Sequence, residues 1–144
     1  MTFKDAIKHA ETRFSYGRFS LLPNESIKEV VSRENVPNDQ GIYIIFRCDD
    51  LQRPLYIGKA GTMQTDGTWK EQGLKKRLTM KQDGMYRSEF FRKLMADKVL
   101  TGLTFLWFVT HRQNSGVIPA FAEMELLQAY YNQYGSLPEL NKCV

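Results

Sequence analysis

Cysteine and histidine are scarce, with two of each among 144 residues. Cys48 and Cys143 stand alone, with no CxxC pair and no Cys/His cluster, which argues against a structural zinc site. The two could pair as a disulfide, but nothing else in the chain has a secreted character. The N-terminal stretch carries Lys4, Asp5, Lys8 and Glu11 and lacks the apolar core of a secretory leader. No run approaches the roughly 18 to 20 apolar residues of a membrane span. Internal repeats and low-complexity tracts are absent as well. What is left is an ordinary globular composition, 42% hydrophobic and 25% charged. The expectation is a reduced, cytoplasmic protein, long enough to close one core without staples.

The formal charge is only +4, but it is unevenly placed. Between Gly67 and Lys98 stand nine basic residues, Lys70, Lys75, Lys76, Arg77, Lys81, Arg87, Arg92, Lys93 and Lys98. Four acids oppose them (Glu71, Asp83, Glu89 and Asp97), leaving eleven basic and twelve acidic residues for the rest of the chain. A basic stretch on a nearly neutral body suits a polyanion-binding face, although a solvated helix face has the same composition.

Periodicity predicts a short helix over residues 2 to 14, from Ala6, Ile7, Ala10 and Phe14. Ser26 and Glu29 fit a capping box for a second helix. These first 36 residues read as a helical N-terminal extension, ended by the turn-rich Val36-Pro37-Asn38-Asp39-Gln40-Gly41. The domain proper then runs over 37–144. Ile42 to Phe46 and Leu55 to Ile57 have strand length and composition, with a polar stretch between them that suits an antiparallel hairpin. Short helices are expected from Leu74 to about Lys81 and from Ser88 to Asp97. Leu103 to Val109, the most apolar segment, is expected as a central third strand. A long helix follows Pro119, covering Phe121 to Tyr131, and stops at Gly135 and Pro138. The predicted fold is α+β, a small three-stranded antiparallel sheet flanked by helices.

Gly41-Ile42-Tyr43 and Tyr56-Ile57-Gly58 sit on the first two of these strands, twelve residues apart. Behind them come Lys59, then Leu74-Lys75-Lys76-Arg77-Leu78, Glu123-Met124-Glu125-Leu126-Leu127, and Leu140-Asn141. In that order the chain resembles the GIY-YIG nuclease superfamily, from about Pro37 to Asn141. The resemblance implies a metal-dependent endonuclease. It would hydrolyse DNA phosphodiesters by one-step attack of water, leaving a 5′-phosphate and a 3′-hydroxyl. It also implies Mg2+ or Mn2+ as cofactor, Glu123 as metal ligand, and Tyr43 and Tyr56 as the groups that orient or deprotonate the nucleophile.

The chemistry of these residues is consistent with that role. Hydrolysing a stable phosphodiester anion needs an activated water, charge neutralisation and a stabilised leaving oxygen. Glu123 is a hard oxygen donor suited to a hydrated Mg2+. Glu125 lies two residues on, about 200° around the helix, so both cannot face one site. Nearby Lys59 and Arg77 would favour a tyrosine phenolate, which is otherwise scarce at neutral pH. Arg77 presents a planar, permanently charged fork to phosphate oxygens. Lys75, Lys76, Lys81, Arg87 and Arg92 are candidates for DNA contact. Gly58 allows close backbone approach and Gly41 marks the start of its strand, while Asn141 is expected to brace the site by hydrogen bonds.

The chain departs from the family pattern twice. Arg77 lies 19 positions after Gly58, where the resemblance implies about eight, so Gly61 to Gly73 reads as an inserted loop. Lys81 stands one turn after the arginine, where many relatives carry His or Tyr; Tyr86 and His111 are possible substitutes. These departures leave open a second reading, a catalytically weak or inactive DNA-binding module of the same fold. A third is a small interaction domain whose basic stretch binds an acidic partner. No specificity module is evident, so targeting falls to residues 1–36, the loop, a homodimer or another protein.

Overall fold

The structure is a computed structural model that describes residues 2–70, 73–82, 85–113 and 115–144, with the backbone alone at Lys81 and Gln82. From the N-terminus, helix α1 (Phe3–Arg13) leads to strand β1 (Ser15–Leu21), helix α2 (Ile27–Arg33) and the hairpin β2 (Gln40–Arg47) and β3 (Tyr56–Ala60). Then follow α3 (Leu74–Thr79), a two-residue ladder of β4 (Lys81–Gln82) and β5 (Met85–Tyr86), and α4 (Arg87–Asp97). Strand β6 (Leu103–Arg112), the short β7 (Ser115–Gly116) and helix α5 (Pro119–Tyr134) complete the order. The main sheet is antiparallel, in the order β1-β6-β2-β3, with β7 folded back on the end of β6.

The apolar run of β2 is continuous because both faces of the sheet are covered. Ile42, Ile44, Ile57, Leu106 and Phe108 pack under α1 and α5 against Phe3, Leu126, Leu127 and Tyr130. Tyr43, Ile45, Phe105 and Val109 face the other way, into Val30, Val31, Leu74, Leu78, Phe91 and Met95 from α2, α3 and α4. Each large side chain fully buried in these layers contributes about 1.5–3 kcal/mol relative to exposure. Among the described residues no helix is long and apolar enough to cross a membrane.

The α+β class and the central position of β6 match the sequence reading, but among the described residues the main sheet has five strands rather than three. The N-terminal segment is not purely helical. β1 pairs along its length with β6, from Ser15↔Val109 to Leu21↔Leu103. Residues 15–33 thus supply a sheet strand and part of a core. The expected box at Ser26 does not form, since Ser26 caps α2 without a side-chain hydrogen bond. Thr2 and Asp5 form one instead at α1. Helix α5 is longer than expected and ends where Gly135 adopts φ 73°, its N–H bonded to the Tyr131 carbonyl at 2.8 Å.

Candidate active site

Strand register brings the two tyrosines together. Tyr43 pairs with Gly58 and Ile45 with Tyr56, so Tyr43, Tyr56 and Gly58 share the α3/α4 face of the hairpin. The tyrosine rings lie 5.9 Å apart at 41°. Gly58 makes this convergence possible: a Cβ there would stand 2.5 Å from a Tyr56 ring carbon and 2.8 Å from the Tyr43 hydroxyl. Gly41 is held by a different constraint, because a Cβ would meet the Phe108 carbonyl oxygen at 1.9 Å where the β2–β6 register shifts.

Helix α3 is anchored to the turn preceding β2. Leu74 N–H donates to Asp39 O at 2.9 Å, Lys75 N–H to Pro37 O at 3.1 Å and Lys76 N–H to Asn38 Oδ1 at 3.1 Å. These bonds satisfy donors that a helix start leaves open and hold Arg77 in register with the tyrosine strand. Leu74 and Leu78 are buried, Arg77 is half-buried between them, and Lys75 and Lys76 face solvent.

Glu123 and Glu125 part as helix geometry requires. Glu125 pairs with Arg13 of α1 at 3.2 Å on the far side of α5. Glu123 is half-buried beside Lys59 and Arg77: burial raises its carboxyl above the ordinary glutamate value, and the two cations pull it back. Lys59 is steadied by donating from Nζ to Thr62 Oγ1 at 3.2 Å. Burial also pushes the Tyr56 phenol well above its ordinary value, and Tyr43 adds to that. Arg77 and Arg87 oppose the shift, and Glu123 adds to it. The protein's own groups therefore hold Tyr56 as a neutral phenol, contrary to the phenolate expected from the cations alone. The Tyr43 hydroxyl is sealed from solvent and has no hydrogen-bond partner among the described residues.

Asn141 grips the outer strand with both ends of its amide. Its Oδ1 accepts from Ile57 N–H at 2.9 Å, and its Nδ2 donates to Ile57 O at 2.8 Å. The asparagine thus behaves as one more residue of a β-ladder, completing the free edge of β3 beside Tyr56 and Gly58.

Arg87 departs most from its expected place. It was expected on a DNA-facing surface, yet its side chain is 2% exposed and bears on Tyr56. The signal was present in the sequence, because Arg87 precedes Phe91 by one helical turn on the inner face of α4. Arg92 of the same helix is exposed, as expected, while the Lys81 side chain lies outside the described residues. Tyr86 is 56% exposed. His111 packs edge-on against Trp69, 5.0 Å between ring centres. The inserted segment folds into a small turn-back: Lys70 N–H reaches Thr62 O and Gln64 N–H reaches Thr68 O, both at 2.8 Å. Its first residues line a groove of about 350 Å³ with Lys59, Ile118 and Ala120. Glu71, Gln72 and Asp83 lie outside the described residues.

Among the described residues no group of three or more His, Cys, Asp or Glu side chains converges as a metal cage. A single half-buried carboxylate fits a different arrangement, a hydrated Mg2+ or Mn2+ that takes its other ligands from water and a phosphate. Comparison with protein-family models, with curated proteins and with solved structures gives no match to this chain.

Proposed function

We propose that the protein is a metal-dependent endonuclease that hydrolyses DNA phosphodiesters. The observation that carries this reading is a convergence: Glu123, Lys59, Arg77 and two tyrosines from four elements, β2, β3, α3 and α5, meet at one edge of the sheet. A bland surface would not gather two cations around a carboxylate whose burial already disfavours its charge. The second glutamate of the same helix, Glu125, is turned away into an ordinary ion pair.

In this reading Glu123 holds the divalent cation, which when bound supplies charge neutralisation and polarisation of the phosphate. Arg77 grips the non-bridging oxygens with its guanidinium fork, and Lys59 adds a second positive charge beside them. Tyr56, kept as a phenol by burial, donates a hydrogen bond rather than accepting a proton. The Tyr43 hydroxyl, without a partner among the described residues, is the group left to orient the attacking water once substrate opens access to it. Asn141 acts at one remove, by fixing the strand that carries Tyr56. Lys75, Lys76 and Arg92 lie exposed on the neighbouring helices and are suited to contacts with the DNA backbone.

Supercoiled plasmid incubated with Mg2+ or Mn2+ tests this. Nicked and linear products with 5′-phosphate ends are expected, abolished by chelation and strongly reduced by Glu123→Gln, Tyr43→Phe and Arg77→Ala. Cleavage that survives all three substitutions would sink the assignment.

One observation favours the second reading, a DNA-binding module without turnover: the upward shift of Tyr56 removes one candidate base. That reading predicts salt-sensitive DNA binding and no product with any divalent metal.

A further inference from the structure

Helix α4 turns Phe91, Leu94 and Met95 into the core beneath the sheet, and Arg87 lies on that same inner side at the first turn. Its guanidinium is buried, yet no acid or hydrogen-bond acceptor pairs with it among the described residues, and Nε is sealed from solvent without a partner. A buried cation left without a counter-charge is costly, and such a group is retained where an anion arrives from outside. Its placement is firm. Arg87 N–H bonds the Met80 carbonyl at 3.1 Å, and the β4–β5 ladder, Lys81↔Tyr86 and Gln82↔Met85, folds the start of α4 back onto the end of α3. The chain therefore brings Arg87 to the helix end that also carries Arg77.

We propose that Arg87 is a second anion-binding arginine of the site, gripping a phosphate-class oxyanion together with Arg77. That the anion is a DNA phosphodiester rests on the nuclease reading above; the unpaired buried guanidinium requires only a tetrahedral oxyanion. Lys59 and Arg77 then flank the carboxylate of Glu123, and Arg87 adds a third cation on the Tyr56 side. This surplus of positive charge suits a phosphodiester at the point of hydrolysis, which carries more negative charge than the substrate itself. Both arginines lie within electrostatic reach of the Tyr56 phenol.

Arg87→Met keeps the length of the side chain and removes its charge, and Arg92→Met makes the same change on the exposed side of α4. Thermal unfolding of the wild type and both variants is followed with and without millimolar inorganic phosphate, beside plasmid cleavage. In phosphate-free buffer, R87M is expected to unfold at the wild-type temperature or above it. Phosphate raises the midpoint of the wild type and of R92M but leaves R87M unmoved, and cleavage by R87M falls by ~100-fold. A lower midpoint for R87M in phosphate-free buffer, or failure to fold, shows a structural arginine and overturns the proposal. A phosphate response retained by R87M or absent from the wild type, or unimpaired cleavage by R87M, does the same. If the wild type cleaves no DNA, the nuclease reading fails, and the phosphate response alone decides the role of Arg87.

Discussion

Two tyrosines are buried on opposite faces of the sheet, and they are treated differently. Tyr130 of α5 packs edge-on against Phe3, and its hydroxyl is bonded by Arg53 Nε at 2.9 Å. Tyr43 of β2 is equally buried, yet its hydroxyl has no partner among the described residues and lies over Gly58 beside Tyr56. The two glutamates of α5 repeat the contrast, Glu125 paired with Arg13 and Glu123 held beside cations in a partly buried site. On the α1/α5 face Tyr130 and Glu125 are satisfied by the protein and so support the fold. At the edge next to α3 and α4 the Tyr43 hydroxyl has no partner among the described residues and burial disfavours the charge of Glu123, a cost in stability of the kind that ligand-binding groups carry.

Substitutions can break this contrast in order of size. Glu123→Gln should lower plasmid cleavage most, on the order of 10³-fold, while Glu125→Gln leaves it unchanged. Glu123 also carries a pH signature. Its folded pKa is raised, so the folded state binds the proton more readily than the unfolded chain. Its contribution to stability is therefore greatest at low pH and declines as pH rises through the raised value. Denaturation midpoints across acid to neutral pH should lose that decline in Glu123→Gln.

Tyr43→Phe should cost roughly 10²-fold in cleavage without lowering stability, since no protein bond is lost and an unsatisfied buried hydroxyl costs about 1–3 kcal/mol. A fall in its urea midpoint would show that the hydroxyl is bonded after all. Asn141→Ala should destabilise by about 1–3 kcal/mol, through the two lost bonds to Ile57, and weaken cleavage only through that strand. The smallest effect belongs to Tyr130→Phe, a fall of a few degrees in Tm with cleavage unaltered. Equal behaviour of the two tyrosine variants would erase the distinction between the faces.

Much of this arrangement was legible in the sequence because it is local. The β2–β3 hairpin, the helices after Leu74 and Pro119 and the strand at Leu103 all follow from short-range periodicity. The separation of Glu123 from Glu125 follows from helix geometry alone. β1 was missed for a physical reason. It is an edge strand with a glycine at its third position, only Phe19 and Leu21 are buried, and its paired residues lie 82 to 94 positions downstream. The burial of Arg87 was not legible from charge, because charge composition does not reveal on which side of a helix a residue lies. The phase of α4 relative to Phe91 does. The neutral state of Tyr56 depends on burial, which only the assembled fold determines.

The central place of β6 has a consequence for how the protein is made. Both β1 and β2 depend on it for partners, yet it is synthesised after nearly three-quarters of the chain. On the ribosome the β2–β3 hairpin can close early, but one apolar edge of β2 must wait. The sheet is then completed as β6 slots in beside β2 and recruits β1, a non-local step that slows folding and leaves a sticky edge exposed meanwhile. Pulsed hydrogen exchange should find the β2–β3 amides protected before those of β1. Simultaneous protection would mean that the late strand imposes no such delay.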